Sequence, residues 1–143
     1  MASFELKLPI SAPPSKVFAT LTEPDKITRW DTCRWAYNDM RLSGKLRKRD
    51  DHGVLHEGEI VAYVPPYDFT VLWPVAKDPD EPDEGTFPVR LEFTVDAAGD
   101  KSVLKLSAQG FPSEDLATRE RNTWGGFFLE RIQEVAEDKE NEK

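Results

Sequence analysis

The sequence predicts an α+β fold: a curved antiparallel sheet of six to seven strands around one long C-terminal helix, with two short helices after the first strand. Three observations carry this. Val17, Phe18 and Leu21 stand at helical spacing just after two prolines. From residue 39 to residue 108 the chain alternates apolar with polar residues and breaks at turn residues, which is strand behaviour. From residue 113 onward Leu116, Trp124, Phe127, Phe128, Ile132 and Val135 follow helical spacing. Strands joined by short turns pair antiparallel. A strand block between a helical insert and a terminal helix packs as sheet on helix, and a sheet curved round a helix leaves room for a cavity between them.

Residues 3–10 alternate Phe4, Leu6, Leu8 and Ile10 with Glu5 and Lys7, a half-buried strand. Pro13-Pro14 ends it, because neither proline fits a sheet interior and either suits a helix first turn. Glu23-Pro24-Asp25 breaks that helix, and Asp25 is a candidate cap for a second one holding Ile27 and Trp30. Residues 39–49 read as a strand pair or one bent strand with Gly44 as bulge or turn, and Asp50-Asp51-His52-Gly53 as a turn. Residues 55–64, 69–75, 89–95 and 102–108 are further strands, separated by Pro65-Pro66-Tyr67-Asp68, an acidic stretch at 77–85 and a hairpin turn at Ala97-Ala98-Gly99-Asp100. Ser113 is the candidate N-cap of a helix over residues 113–138. The charged tail is frayed from residue 137 to 143, and residues 78–85 and 138–143 have little apolar surface to bury and are expected to be mobile.

At 143 residues the chain suits one domain, spanning 1–143. The 38% apolar and 32% charged fractions reflect the tail and the acidic stretch, while 8 Phe, 4 Trp and 3 Tyr supply a core. A net charge of −8 argues against nucleic acid, which needs clustered cations. The one basic cluster, Lys45, Arg47, Lys48 and Arg49, reads as a solvated hairpin edge. One cysteine excludes an internal disulfide, and no stretch has the apolar length of a membrane span, so a cytoplasmic location is expected.

Several marks taken together resemble the SRPBCC superfamily, the helix-grip or Bet v-type fold, and within it the family named for the activator of heat-shock protein 90 ATPase, the AHSA type. They are Ala12-Pro13-Pro14 with Val17-Phe18 and Leu21, Arg29-Trp30, Gly58 with Ile60 leading to Pro65-Pro66, Trp73, Gly110-Phe111 and Trp124. Asp31 departs from the pattern, standing where family members often carry a second tryptophan. The resemblance implies a helix-grip fold with a cavity, a stress-response setting, and a chaperone as an alternative partner to a small molecule. Cyclases and dehydratases of the superfamily imply an enzyme as a third reading.

The candidate ligand-binding residues are Trp30, Tyr63, Trp73, Phe93, Trp124 and Phe128. Strand alternation puts Trp73 and Phe93 on apolar faces, and Trp124 and Phe128 lie four residues apart on one helix face. Flat aromatic walls suit a hydrophobic or aromatic small molecule, though plain core packing explains the same residues. Gly125-Gly126 within a helix points to close approach to the sheet or room for a ligand, or else to a kink. Gly126 is the position where added bulk is expected to fill ligand space. An enzyme would need ionisable groups inside, and His56, Tyr63 and Arg90 are the candidates, with the strand periodicity not bringing all three in. Cys33 reads as an inert thiol, His52 as an exposed turn residue, and Asp78-Pro79-Asp80-Glu81 lacks calcium-loop spacing. No catalytic residue, metal or cofactor is expected, and the chain is expected to be a monomer or a weak homodimer.

Overall fold

The computed structural model describes residues 2–78 and 80–138, apart from the side chain of Pro82. In chain order it has β1 (Ala2–Ile10), α1 (Pro14–Thr22), α2 (Pro24–Trp30), β2 (Trp35–Asn38), β3 (Lys45–Arg49), β4 (Leu55–Val64), β5 (Asp68–Ala76), a 3₁₀ turn (Pro82–Glu84), β6 (Thr86–Ala98), β7 (Lys101–Phe111), and a terminal helix. That helix runs as α3 (Glu114–Thr123), a π-helical turn (Trp124–Phe128) and α4 (Leu129–Glu137), 24 residues in all. The seven strands form one curved antiparallel sheet in the order β1-β7-β6-β5-β4-β3-β2. This is the helix-grip fold.

Local chemistry accounts for most boundaries. Pro14 and Pro24 each sit in the first turn of their helices, where a missing N–H loses nothing. α2 therefore starts one residue before Asp25, which lies in its first turn and not at its cap. The Ser113 hydroxyl accepts the Leu116 N–H at 3.2 Å, as an N-cap should. Gly99 has φ +67° at the tight β6–β7 hairpin. The strand pair expected within 39–49 lies further apart. β2 begins at Trp35, and residues 39–44 are the connection, with Met40 and Ser43 both at positive φ. The Asp39 carboxylate accepts the Lys45 N–H at 2.7 Å and closes this turn, a local bond that strand alternation does not reveal.

The concave face carries the core. Along β6 burial alternates without a break, with Phe87, Val89, Leu91, Phe93 and Val95 turned inward. Leu104, Leu106 and Ala108 continue it on β7, and Val17, Phe18, Leu21, Ile27, Trp30, Leu129 and Ile132 meet it from the helices. Polar ties fix the C-terminal part of the terminal helix. Glu137 accepts the Ser11 N–H at 2.7 Å, Gln133 donates to the Pro9 carbonyl at 2.8 Å, and Arg29 pairs with Asp138 at 2.6 Å. Residues 137–138, expected to fray, are thus held, and 139–143 of the expected tail lie outside the described residues. Of the acidic stretch, Pro79 also lies outside them, while Lys77 donates its N–H to the Gly85 carbonyl at 3.0 Å.

Two glycines contrast. A Cβ on Gly58 would sit 2.6 Å from Cε3 of Trp73 and 2.7 Å from the Leu72 carbonyl oxygen, so only glycine lets the Trp73 indole lie flat across β4. A Cβ on Gly126 meets no atom within 4 Å, and Gly125 faces Leu6 of β1 at 3.6 Å. The expectation that Gly126 guards ligand space is therefore wrong: the residue is exposed and faces away from the sheet. Gly126→Ala should raise stability by about 1 kcal/mol through helix propensity. Gly58→Ala should lower it by ~2 kcal/mol or more by overpacking. Chemical denaturation followed by tryptophan fluorescence measures both.

Candidate ligand-binding cavity

A cavity of about 260 Å³ lies between the sheet and the terminal helix. The β3–β4 register pairs Lys48 with His56, and both side chains reach its wall. β5 adds Trp73 and Val75, and β6 adds Leu91. The opposite wall is a stripe of the terminal helix, Glu120, Trp124 and Phe128, at four-residue spacing. The π-helical turn brings the Trp124 and Phe128 rings to 4.8 Å between centres. The segment Asp31-Thr32-Cys33 closes one side. A narrow space of about 20 Å³ continues inward among Trp30, Trp73, Phe93 and Trp124.

The wall is apolar with charged groups set into it. The Lys48 ammonium bonds the Asp31 carboxylate at 2.6 Å, with 13% of each side chain exposed. It also lies 4.8 Å from the Trp73 ring centre and 5.3 Å from that of Trp30. His56 Nε2 and the Asp50 carboxylate are 2.9 Å apart. Asp50 also accepts the N–H groups of His52 and Val54, and its bond with His56, then that with Val54, holds its carboxyl down at about 2. Burial, reinforced by Asp31, pushes the Cys33 thiol up to about 11. A thiol kept in its neutral form in this way is a poor nucleophile. Burial also raises the Glu120 carboxyl above the ordinary range, against a smaller lowering by Arg119.

The structure brings five of the six expected site residues together. Trp73 and Trp124 border both spaces, Phe128 the larger, and Trp30 and Phe93 the inner one. Tyr63 stands apart. It is next to last in β4, beyond the register shift between Ile60 and Ala62, and packs against Phe18 at 5.6 Å and Phe69 at 6.4 Å. Of the ionisable candidates, His56 reaches the cavity and is half-buried, while Arg90 pairs with Glu92 elsewhere.

Sequence reasoning missed Lys48, Asp31, Asp50 and Glu120. Lys48 is not part of a solvated edge. Alternation along β3 puts it on the face of buried Leu46, a signal that was present in the sequence. Glu120 stands four residues before Trp124 and shares its face, which was equally legible. The Asp31 and Asp50 contacts arise from loop geometry and had no such signal. Among the described residues no group of three His, Cys, Asp or Glu side chains could hold a metal ion, and no helix is long and apolar enough to cross a membrane.

A curved sheet gripping a terminal helix over a partly open cavity defines the helix-grip class. Within it the chain belongs to the family described as Activator of Hsp90 ATPase homolog 1-like protein, whose sequence profile matches residues 11–137. Solved structures with the same fold include a protein from Mesorhizobium loti (TM-score 0.79, 20% identity, covering 94% of this chain and 96% of that one). An HSP90 activator from Plasmodium falciparum is similar (TM-score 0.74, 22% identity, 94% and 95% covered). So is the Aha1 dimer from Colwellia psychrerythraea (TM-score 0.75, 14% identity, 96% and 97% covered). No curated protein matches the sequence. Family and fold together support a ligand-binding or Hsp90-activator-like role.

Two outcomes follow from the charges. Asp31→Ala leaves the Lys48 ammonium buried without its partner and should destabilise the protein by about 3 kcal/mol, more than Asp31→Asn, in urea unfolding. Asp50 has a folded pKa near 2, below its ordinary 3.8. Its contribution to stability is therefore complete above about pH 4 and fades as pH falls toward 2. Asp50→Asn should flatten the stability profile across that window.

Proposed function

We propose that the protein binds a hydrophobic or aromatic small molecule in the cavity between sheet and terminal helix, against Trp73, Trp124 and Phe128, with Trp30 and Phe93 behind them. The observation that carries this is the open 260 Å³ cavity itself, bordered by three large aromatics that leave the space between them unfilled. At about 260 Å³ the cavity lies just under the roughly 300 Å³ where small-molecule pockets begin, so it suits a ligand of no more than one or two rings. Burying ~200 Å² of apolar ligand surface gains about 5 kcal/mol before association costs, which makes the expected affinity weak, on the order of millimolar. No covalent or redox step is part of this reading.

A second reading is a chaperone-associated partner protein, supported by the family and by the outer sheet face. There Trp35 and Tyr37 are both more than 40% exposed and stack at 6.4 Å, with the guanidinium groups of Arg49 and Arg47 5.7 Å from their ring centres. This face lies across the sheet from the cavity, so the two readings separate cleanly. Titration with N-phenyl-1-naphthylamine, a neutral hydrophobic fluorophore, tests the first. Saturable one-to-one binding that Val75→Trp abolishes, with the melting temperature lowered by no more than a few degrees, is the expected result. No saturable binding to the parent protein would remove the ligand reading and leave the surface one ahead.

A further inference from the structure

The cavity wall carries two sets of the same parts, and one set is incomplete. In the complete set an ammonium, that of Lys48, is held by the Asp31 carboxylate at 2.6 Å beside the faces of Trp73 and Trp30. In the other, the Glu120 carboxyl stands on the same helix stripe as Trp124 and Phe128, whose rings are 4.8 Å apart, and all three border the cavity. Among the described residues no hydrogen bond or ion pair to the Glu120 carboxyl occurs, although Arg119 adjoins it in sequence. No described side chain supplies the cation that would complete this second set.

The charge on the wall points the same way. Its ionisable groups are Asp31, Asp50, Glu120 and Cys33 on one side of the balance and Lys48 and His56 on the other. With the thiol neutral, no combination of His56 and Glu120 protonation gives the wall a net positive charge. An anionic ligand would find Lys48 already engaged by Asp31 and would face three carboxyl groups. A cationic one would meet an unpaired carboxyl in a half-buried setting, where Coulomb attraction is screened less than in water, and aromatic faces that attract cations.

Resting on the ligand-binding reading above, we propose that the cavity selects an arylalkylamine, its ammonium paired with Glu120 and its ring system against Trp73, Trp124 and Phe128. Binding of the cation would draw the Glu120 carboxyl to its ionised form, reversing the effect of burial on it.

Three probes of one shape test this: 1-naphthylmethylamine, 1-naphthylmethanol and 1-naphthylacetate, titrated by calorimetry at pH 7 and 0.15 M salt, which screens the attraction of an acidic protein for any cation. The amine is expected to bind with one-to-one stoichiometry on the order of tenfold tighter than the alcohol, and the acetate weakest. Glu120→Gln should erase the amine's advantage and leave the alcohol unchanged. That substitution removes a carboxylate that burial disfavours, so the fold should tolerate it. If the alcohol binds but the amine is no tighter, or the acetate is tightest, the amine proposal is overturned while the cavity reading stands. An amine preference that survives Glu120→Gln also overturns it, because Glu120 is then not the counter-ion. If none of the three binds, the cavity reading fails and takes the proposal with it.

Discussion

Trp30 is fixed from three directions, and the space beneath the terminal helix depends on that fixing. Its indole N–H donates to the Thr20 carbonyl at 2.8 Å, tying α2 to the last turn of α1. Its own carbonyl and that of Arg29 accept from the Arg131 guanidinium at 3.0 and 2.7 Å. A cation on α4 thereby satisfies the carbonyls that α2 leaves unpaired at its C-terminus. Its ring meets Trp124 at 6.1 Å and Phe128 at 6.2 Å. Rigid aromatics in contact act as spacers: they keep the helix from settling onto the sheet, which smaller aliphatic side chains would allow.

The buried Lys48–Asp31 pair makes sense beside that void. Replacing such a pair by apolar residues of similar size is often neutral or stabilising, because taking two charges from water costs more than their attraction returns. Its value here is positional. It sets a fixed dipole in an otherwise apolar wall, with the ammonium 4.8 Å from the Trp73 ring centre. His56, opposite Lys48 in the β3–β4 register, is oriented in turn by Asp50. The polar end of the cavity is thus organised by two aspartates, one from the loop after α2 and one from the turn after β3.

The architecture was legible because its signals are periodic. Alternation along β6 and the helical spacing from Leu116 to Val135 name both the element and its buried face. The five aromatics that gather at the cavity were readable for the same reason, being large residues on faces that periodicity assigns inward. Tyr63 was not placed, because alternation assigns a face and not a distance along the strand, and Tyr63 meets the core at the end of β4, against Phe18 and Phe69. Gly126 misled because missing bulk was taken for inward space, although a residue two positions from both Trp124 and Phe128 lies on the opposite helix face by helical spacing alone. Asp31 and Asp50 act through loops, whose geometry has no period to read. Asp31, the departure from the family pattern, turned out to supply one of the cavity's main charges.

The terminal helix divides its labour at the π-helical turn. Its C-terminal part holds Leu129, Ile132, Val135 and Ala136 in the core and bears the ties to Pro9, Ser11, Arg29 and Trp30. Its N-terminal part, Glu114–Thr123, buries only Ala117 and presents Glu120 to the cavity. Selection can therefore act on the two parts separately. Substitutions in α3 can reshape the cavity wall without eroding the anchor that keeps the protein folded.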